Sequence, residues 1–470
     1  MQESSLREYN SKDTIAAIAT FPAASALGVI KISGKKSLSI ISRIFKPAKS
    51  KNLKTANTFT LRYGWITEKS KIKNKKSKIV DEVLVGIMKA PNSYTKEDVV
   101  EVSCHGGVIV LDKILGLILN YGARLALPGE FTYRALVNGR IDLLQAEGIS
   151  AVIDAKTPQA LEEASFQLQG GCSLAVKKLK EEIKDLFVQT ESLINFPEEE
   201  MKISYSLLKQ KIKSLEKRFK ELLSGSKAAG LLREGIRCVI CGKANAGKST
   251  LFNRLLREER VIVSKIPGTT RDVIEETIQV KGLPLRIFDT AGILEPADLI
   301  ESQAPNKTNE IFSQADLIIM VLDGSKKLNR QDYLLLKKAK GKSTLVVINK
   351  NDLTQKIEIK KILPFGFNIV KMSALKSRGL KDLEGSIYKL ILTEPIKRES
   401  IIFLSRYQQQ ALEAGRKDLS QAAEYLMQRQ TIDFINICLK GCLESLGRID
   451  GEVLTGEILE SIFSRFCIGK

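Results

Sequence analysis

The chain has 470 residues, 43% apolar and 27% charged, and its 74 lysines and arginines outnumber 54 carboxylates for a formal net charge of +20. That length predicts about two to four domains, and the lack of any apolar run of about eighteen residues excludes a membrane span and argues for a soluble protein. Met1-Gln2-Glu3-Ser4-Ser5-Leu6 has no basic region followed by an apolar one, which argues against a secretory signal, and seven scattered cysteines fit a cytoplasmic, reducing location.

In chain order, strand-like runs at 14–19, 28–33, 79–88 and 99–103 alternate with helical runs at 37–45 and 108–121, predicting an α+β domain over residues 1–125. The densest basic run, 69–78, has no interleaved aromatic residue and reads as a solvated loop, although the summed charge predicts salt-sensitive affinity for a polyanion. A helical pattern starts near Glu130 and gives the first part of a helical domain, 126–230, including an unbroken helical stretch at 158–195. Residues 231–394 alternate strands and helices, Glu394-Pro395 marks their exit, and helical periodicity returns across 395–470. The simplest arrangement is a multidomain α/β chain in which a P-loop, Ras-like domain is inserted into one helical domain, because its ends leave and re-enter at neighbouring points.

The inserted stretch carries the loops of a guanine-nucleotide hydrolase in order. Gly242-Lys243-Ala244-Asn245-Ala246-Gly247-Lys248-Ser249 follows the apolar run Cys238-Val239-Ile240-Cys241 and opens a helix from Thr250, the strand–loop–helix context of a P-loop. Its glycines let backbone N–H groups turn onto phosphate oxygens, Lys248 supplies a point charge, and the Ser249 hydroxyl can ligate Mg2+. In the segment Ser264-Lys265-Ile266-Pro267-Gly268-Thr269-Thr270, Thr270 is the second candidate Mg2+ hydroxyl. Asp289-Thr290-Ala291-Gly292 ends another apolar run and would bring a carboxylate to the Mg2+ water shell and an N–H to the γ-phosphate.

Base identity is carried by Asn349-Lys350-Asn351-Asp352, because the Asp352 carboxylate can accept from guanine N1–H and the 2-amino group together. Adenine offers no such pair, which predicts preference for GTP over ATP by orders of magnitude. Ser373-Ala374 would aim backbone N–H groups at guanine O6. Ile293 stands where Ras-like switches carry a water-orienting glutamine, so another acid must act, with Glu301, Glu295 and Asp298 as candidates. Cys238 and Cys241 lie three apart on a strand and should face opposite sides. Cys438 and Cys442 share a helix face, yet His105 is the only histidine and no zinc ligand set is evident.

Several further motifs resemble the MnmE (TrmE) family of tRNA-modification GTPases: Asp13-Thr14-Ile15 with Ile32-Ser33-Gly34, Pro91-Asn92-Ser93-Tyr94-Thr95 with Glu97-Asp98, His105-Gly106-Gly107, Pro128-Gly129-Glu130-Phe131, Asp142-Leu143-Leu144-Gln145-Ala146-Glu147, Phe196-Pro197-Glu198-Glu199, and the terminal Phe466-Cys467-Ile468-Gly469-Lys470. The resemblance covers essentially the whole chain. It implies a homodimer whose N-terminal domain binds a tetrahydrofolate one-carbon donor such as 5,10-methylenetetrahydrofolate, and whose GTPase domains pair across the dimer. The implied partner is the FAD-bearing flavoprotein MnmG (GidA), and the implied product is an aminomethyl-type group at C5 of the wobble uridine of certain tRNAs.

On the same resemblance, Asn245 with oxygens of Ser264, Ile266 and Thr269 would hold a stimulating K+, Ser249 and Thr270 would hold Mg2+, and Glu301 would orient the water. Lys31, Glu101, Arg140 and Lys470 would bind folate, and Cys467 could reach the one-carbon unit. Glu101 makes chemical sense, since a pterin edge presents paired N–H donors. Four departures stand out: Ala23-Ala24-Ser25 replaces a glycine-rich turn, where alanine resists positive φ; Lys31 replaces an arginine; Ser302-Gln303-Ala304-Pro305-Asn306 replaces a more regular helical segment along switch II, where Pro305 would break a helix beyond its first turn and bears on the placement of Glu301; and Ile449-Asp450-Gly451-Glu452 differs by one residue from the usual Ile-Thr-Gly-Glu. The alternatives are a ribosome-assembly GTPase and a folate-sensing regulatory GTPase.

Overall fold

The computed structural model describes residues 13–21, 23–49, 53–69, 77–195, 205–259, 276–287, 312–392, 400–452, 459, 462–464, 466 and 468–469. The chain forms two compact units, one of Met1–Ala146 with Gly447–Lys470 and the other of Glu147–Leu446.

The first unit opens with β1 (Ile15–Ile18), β2 (Ser25–Ser33), α1 (Ser37–Ile44), β3 (Phe45–Pro47), β4 (Thr60–Glu68), β5 (Lys78–Met88), β6 (Val99–Gly106), α2 (Val108–Asn120), β7 (Arg124–Leu125) and α3 (Glu130–Val137). Its seven-stranded sheet has the order β3-β4-β5-β6-β2-β1-β7. Alternation explains the packing: Ile30 and Ile32, Val83, Val85 and Ile87, and Val100 and Val102 point to one face, where Ile40, Ile41 and Ile44 of α1 and Leu111, Ile114 and Ile118 of α2 cover them. The opposite face carries a row of paired positions, Lys31 with Glu101, Glu101 with Gly86, and Gly86 with Leu61.

Here the structure extends the sequence reading. Strand β4 was not anticipated, because Gly64 sits at its centre and splits its apolar residues into the exposed pair Leu61 and Tyr63 and the adjacent Trp65 and Ile66, of which Ile66 is buried. Strand β2 begins three residues early, at Ser25, with a register shift between Ser25 and Gly28. Ala23, Ala24 and Ser25 do not adopt positive φ, so replacing glycine there leaves no backbone strain at those residues. Of the basic run, only Lys69, Ser77 and Lys78 are among the described residues, and Lys78 opens β5.

Helix α4 (Leu143–Asp154) is followed in the second unit by α5 (Pro158–Leu168), α6 (Gly171–Asn195) and α7 (Tyr205–Glu234). The stretch expected to be one helix from 158 to 195 is therefore two, broken at Gly170, whose φ of 91° leaves the helical region. Next come β8 (Ile236–Cys241), α8 (Lys248–Glu259), β9 (Glu276–Val280), β10 (Leu283–Ile287), β11 (Leu317–Asp323), α9 (Arg330–Ala339), β12 (Thr344–Asn349), β13 (Asn368–Lys371) and α10 (Leu380–Ile391). They build a six-stranded sheet, β13-β12-β11-β8-β10-β9, parallel except for β9. β11 and β12 are buried along their whole length, as a central parallel sheet covered on both faces requires.

Cys238 joins the apolar cluster on one face and Cys241 the cluster on the other, as strand alternation predicts. Burial pushes the Cys241 thiol up to about 12, which disqualifies it as a nucleophile near neutral pH. α11 (Arg406–Met427) and α12 (Ile432–Asp450) return to the helical part. The re-entry segment is held by Gln167 on α5, which donates to the Phe403 carbonyl at 2.9 Å and accepts from the Phe403 N–H at 2.7 Å.

Candidate functional site

The phosphate loop is shaped by contacts no side chain could share. A Cβ at Gly242 would lie 2.2 Å from the Val321 carbonyl oxygen and one at Gly247 2.1 Å from Asn349 Nδ2, and both residues have positive φ. Asn245 also has positive φ, at 61°, which asparagine tolerates better than most residues. Lys248, the first residue of α8, is buried and donates to the carbonyls of Gly242 at 2.9 Å and Lys243 at 2.8 Å. Its ammonium is thereby held inside the loop that is to receive phosphate. Ala246 is buried, whereas Asn245, Ser249 and Thr250 are exposed and open to a ligand or ion.

Asn349 joins three loops into one surface. It donates through Nδ2 to the Ala246 carbonyl and accepts at Oδ1 from the Ala374 N–H, both at 2.9 Å. Asn351 N–H bonds to the Met372 carbonyl, and Ser373 pairs with Arg378 as an isolated bridge. Asp352 is held below the usual carboxylate range by the Ser373 hydroxyl and a backbone N–H, with Lys376 at 3.8 Å adding a smaller push. It stays an anion, the state that can accept two N–H groups from one base edge.

Two partners of this surface escaped sequence reasoning. Lys350 has positive φ and its ammonium lies 2.7 Å from Asp323 at the end of β11; burial pushes the Asp323 carboxyl up, but hydrogen bonds from Lys350 and Ser325 outweigh it and hold the group low. Lys243 reaches 2.6 Å to Asp332, whose other contacts cap α9 through Asn329. The available signal was an acid immediately after a buried apolar strand at Asp323, and a capping pattern at Asn329 and Asp332. Ser264, Lys265, Ile266, Pro267, Gly268, Thr269, Thr270, Asp289, Thr290, Ala291, Gly292 and Glu301 lie outside the described residues, as do Cys467 and Lys470.

In the first unit, three of the candidate folate residues are brought together. Lys31 Nζ lies 3.7 Å from the Glu101 carboxylate. Lys31 and Arg140 both approach the ring of Tyr94, at 5.8 and 4.8 Å from its centroid, and the Tyr94 hydroxyl meets Thr132 at 2.9 Å. Gly86 leaves bare backbone beside Glu101, since a Cβ there would meet nothing closer than Leu61 at 3.4 Å. A carboxylate beside an open shelf, with cations at its margin, fits a flat ring carrying paired N–H donors and an anionic tail.

Behind this shelf Glu130 and Arg134 are buried: Arg134 bonds Glu97 and Glu130, and Arg124 holds Glu130 with two hydrogen bonds. The motif residues Glu97 and Glu130 thus act in the scaffold. The chain's end joins the same unit. A Cβ on Gly469 would lie 2.6 Å from the Ile18 carbonyl oxygen, and one on Gly129 2.7 Å from that of Phe463. Asp450, the departure from threonine, accepts the Glu452 N–H at 3.1 Å, a turn that threonine could also make.

Comparison with known proteins places the chain in a family. A family model described as GTP-binding protein TrmE N-terminus matches residues 14–140, and one described as MnmE helical domain matches residues 143–467. The tRNA modification GTPase MnmE of Clostridioides difficile (strain 630) is 45% identical over 462 residues, covering 97% of this chain and 99% of its own. Its namesake from Thermoanaerobacter pseudethanolicus (strain ATCC 33223 / 39E) is 43% identical over 463 residues, with the same coverage of each. The G domain of the T. maritima FeoB iron transporter aligns with 33% of this chain and 98% of its own at 24% identity and a TM-score of 0.26. With relatives of this identity matching nearly end to end, the chain belongs to the MnmE (TrmE) family of tRNA modification GTPases.

Proposed function

We propose that the chain is a K+-stimulated, cytoplasmic GTPase that works as a homodimer with the FAD-bearing flavoprotein MnmG (GidA). Together they add an aminomethyl or carboxymethylaminomethyl group to C5 of wobble uridine 34 of certain tRNAs, with the carbon coming from 5,10-methylenetetrahydrofolate. The observation that carries the GTPase half is the Asn349 bridge, which fixes the phosphate loop to the base-reading loop. The division into an N-terminal domain (1–125), a helical domain (126–230 and 395–470) and an inserted GTPase domain (231–394) is part of the proposal.

In this reading Lys248 neutralises phosphate charge, Asp352 reads guanine, Ser249 and Thr270 hold Mg2+, and Asn245, Ser264, Ile266 and Thr269 hold K+. The two cations supply positive charge to the phosphates during hydrolysis. Glu301 orients the water, in place of the glutamine absent at Ile293. Glu101 accepts from the pterin edge, while Lys31, Arg140 and Lys470 meet anionic parts of the folate. The contact of Gly469 with Ile18 supports a role for Lys470 and Cys467 at this site. Exposed Leu61, Tyr63 and Leu84 on the open sheet face support the homodimer.

The test is nucleoside mass spectrometry of wobble-uridine tRNA incubated with this protein, MnmG, methylenetetrahydrofolate, GTP and either K+ or Na+. A C5-aminomethyl-type uridine should form only with GTP and K+. Equal hydrolysis in K+ and Na+ would remove the potassium assignment, and hydrolysis without modified uridine would remove the folate half.

A further inference from the structure

Helix α7 presents a face unlike those of its neighbours. Its exposed positions between Tyr205 and Lys227 include Lys209, Lys213, Lys217, Lys220 and Lys227, and no carboxylate. At about 100° per residue these lysines fall within an arc of about 80°, and they extend over about 27 Å of helix. Glu216, half-buried, borders the arc, and Glu221, also half-buried, lies further round. Among the described residues no carboxylate is within ion-pair distance of the five lysines.

The lysine-rich composition alone does not produce such a face. On α6 the exposed Lys177, Lys178 and Lys184 alternate with Glu181, Glu182, Asp185 and Glu191, and on α11 Arg416 and Lys417 share the surface with Glu413 and Glu424. Mixed signs are what a merely solvated helix shows. A single-sign face carries a repulsion that α6 and α11 avoid, and a polyanion relieves it.

We infer that the lysine face of α7 is a docking surface for the phosphate backbone of double-helical RNA, which here means a stem of the tRNA substrate; the inference rests on the tRNA reading above. Lys209, Lys213, Lys217 and Lys220 recur about every 5–6 Å along the helix, with Lys227 about 10 Å beyond, spacings that flexible lysine side chains can fit to a row of phosphates. Between Lys209 and Lys227 the exposed face carries no aromatic side chain to stack on unpaired bases, so it positions a backbone and does not read a sequence.

The test measures tRNA affinity of the full-length protein against KCl concentration. K209Q/K213Q/K217Q/K220Q should reduce the slope of log K against log[KCl] by about 3 to 4 and weaken binding at moderate salt by about tenfold or more. GTP hydrolysis without tRNA should be unchanged, which reports that the variant is folded. K177Q/K178Q/K184Q on α6 should change the slope by less than one.

An unchanged slope in the α7 variant, or a proportionate loss in the α6 variant, overturns the inference. So does a variant that keeps its tRNA affinity but loses MnmG, because the face would then serve an acidic protein. If wild-type protein binds tRNA and the α7 variant binds it equally, only the inference falls. If wild-type protein binds no tRNA, the functional reading falls with it.

Discussion

At the scale of single residues, the nucleotide site depends on side chains that join loops. Asp352 is a carboxylate held low by the Ser373 hydroxyl, and its value lies in accepting two N–H groups. Asp352→Asn replaces one acceptor by a donor, and xanthine, which carries a carbonyl in place of guanine's 2-amino group, complements it. Competition with fluorescent GDP should show GDP affinity falling by orders of magnitude and XDP affinity rising; retained GDP preference would refute base reading by this residue. The Lys243–Asp332 pair predicts a smaller effect. Lys243→Ala leaves Asp332 buried without its cation and the outer limb of the phosphate loop untethered, and GDP affinity should drop about three- to tenfold, the equivalent of one ordinary hydrogen bond, because Lys243 acts on the loop and not on the nucleotide. Lys243→Arg should retain most of the affinity, and an alanine variant with unaltered affinity would show that the pair serves helix capping alone. Sequence reading found Lys248, Asn349 and Asp352 because each lies in a fixed local pattern. It missed Asp323 and Asp332 because their partners are brought to them only by the parallel order of β8, β11 and β12.

At the scale of elements, close backbone approach decides what the sequence must be. A Cβ at Gly225 on α7 would lie 1.7 Å from the Ser400 carbonyl oxygen and 2.3 Å from its carbon. Both obstacles are main chain, so they cannot rotate away. Gly225→Ala should therefore destabilise the second unit by about 1–3 kcal/mol despite alanine's better helix propensity, read as a lower urea midpoint by circular dichroism. The same change at Gly230, where a Cβ would meet nothing within 4 Å, should be neutral or stabilising. Equal effects at the two positions would refute the packing argument. Periodicity predicted a helix here without distinguishing these glycines, since the difference lies in a segment 175 residues further along the chain. The break between α5 and α6 was legible in Gln169-Gly170-Gly171 but was overridden by apolar spacing that runs on across it. β4 lacked a signal of the usual kind, because Gly64 interrupts it and its apolar residues fall on both faces, Leu61 and Tyr63 outward and Ile66 inward.

That outward face sets the question at the scale of the whole molecule. Phe59 is 71% and Leu61 67% exposed, with Tyr63 and Leu84 beside Leu61 on the same open side of the sheet. Apolar side chains gathered in one place on an unpaired sheet face mark an interaction surface more often than chance solvation, and a second copy of the chain is the partner that the homodimer reading requires. Leu61→Glu with Leu84→Glu places two charges in that face while leaving the buried side of β4 and β5 untouched. Sedimentation equilibrium should show a dimer for the unaltered protein and a monomer for the variant. The monomer should still bind GDP, because Lys248, Asn349 and Asp352 are all supplied by one chain. It should lose the K+-dependent acceleration of hydrolysis if the GTPase domains act by pairing across the dimer. A monomer with full K+ stimulation would separate catalysis from dimerisation. A variant that remains a dimer would move the interface off this sheet and leave Phe59, Leu61, Tyr63 and Leu84 available for the flavoprotein, which a pull-down with MnmG and the same double variant would report directly.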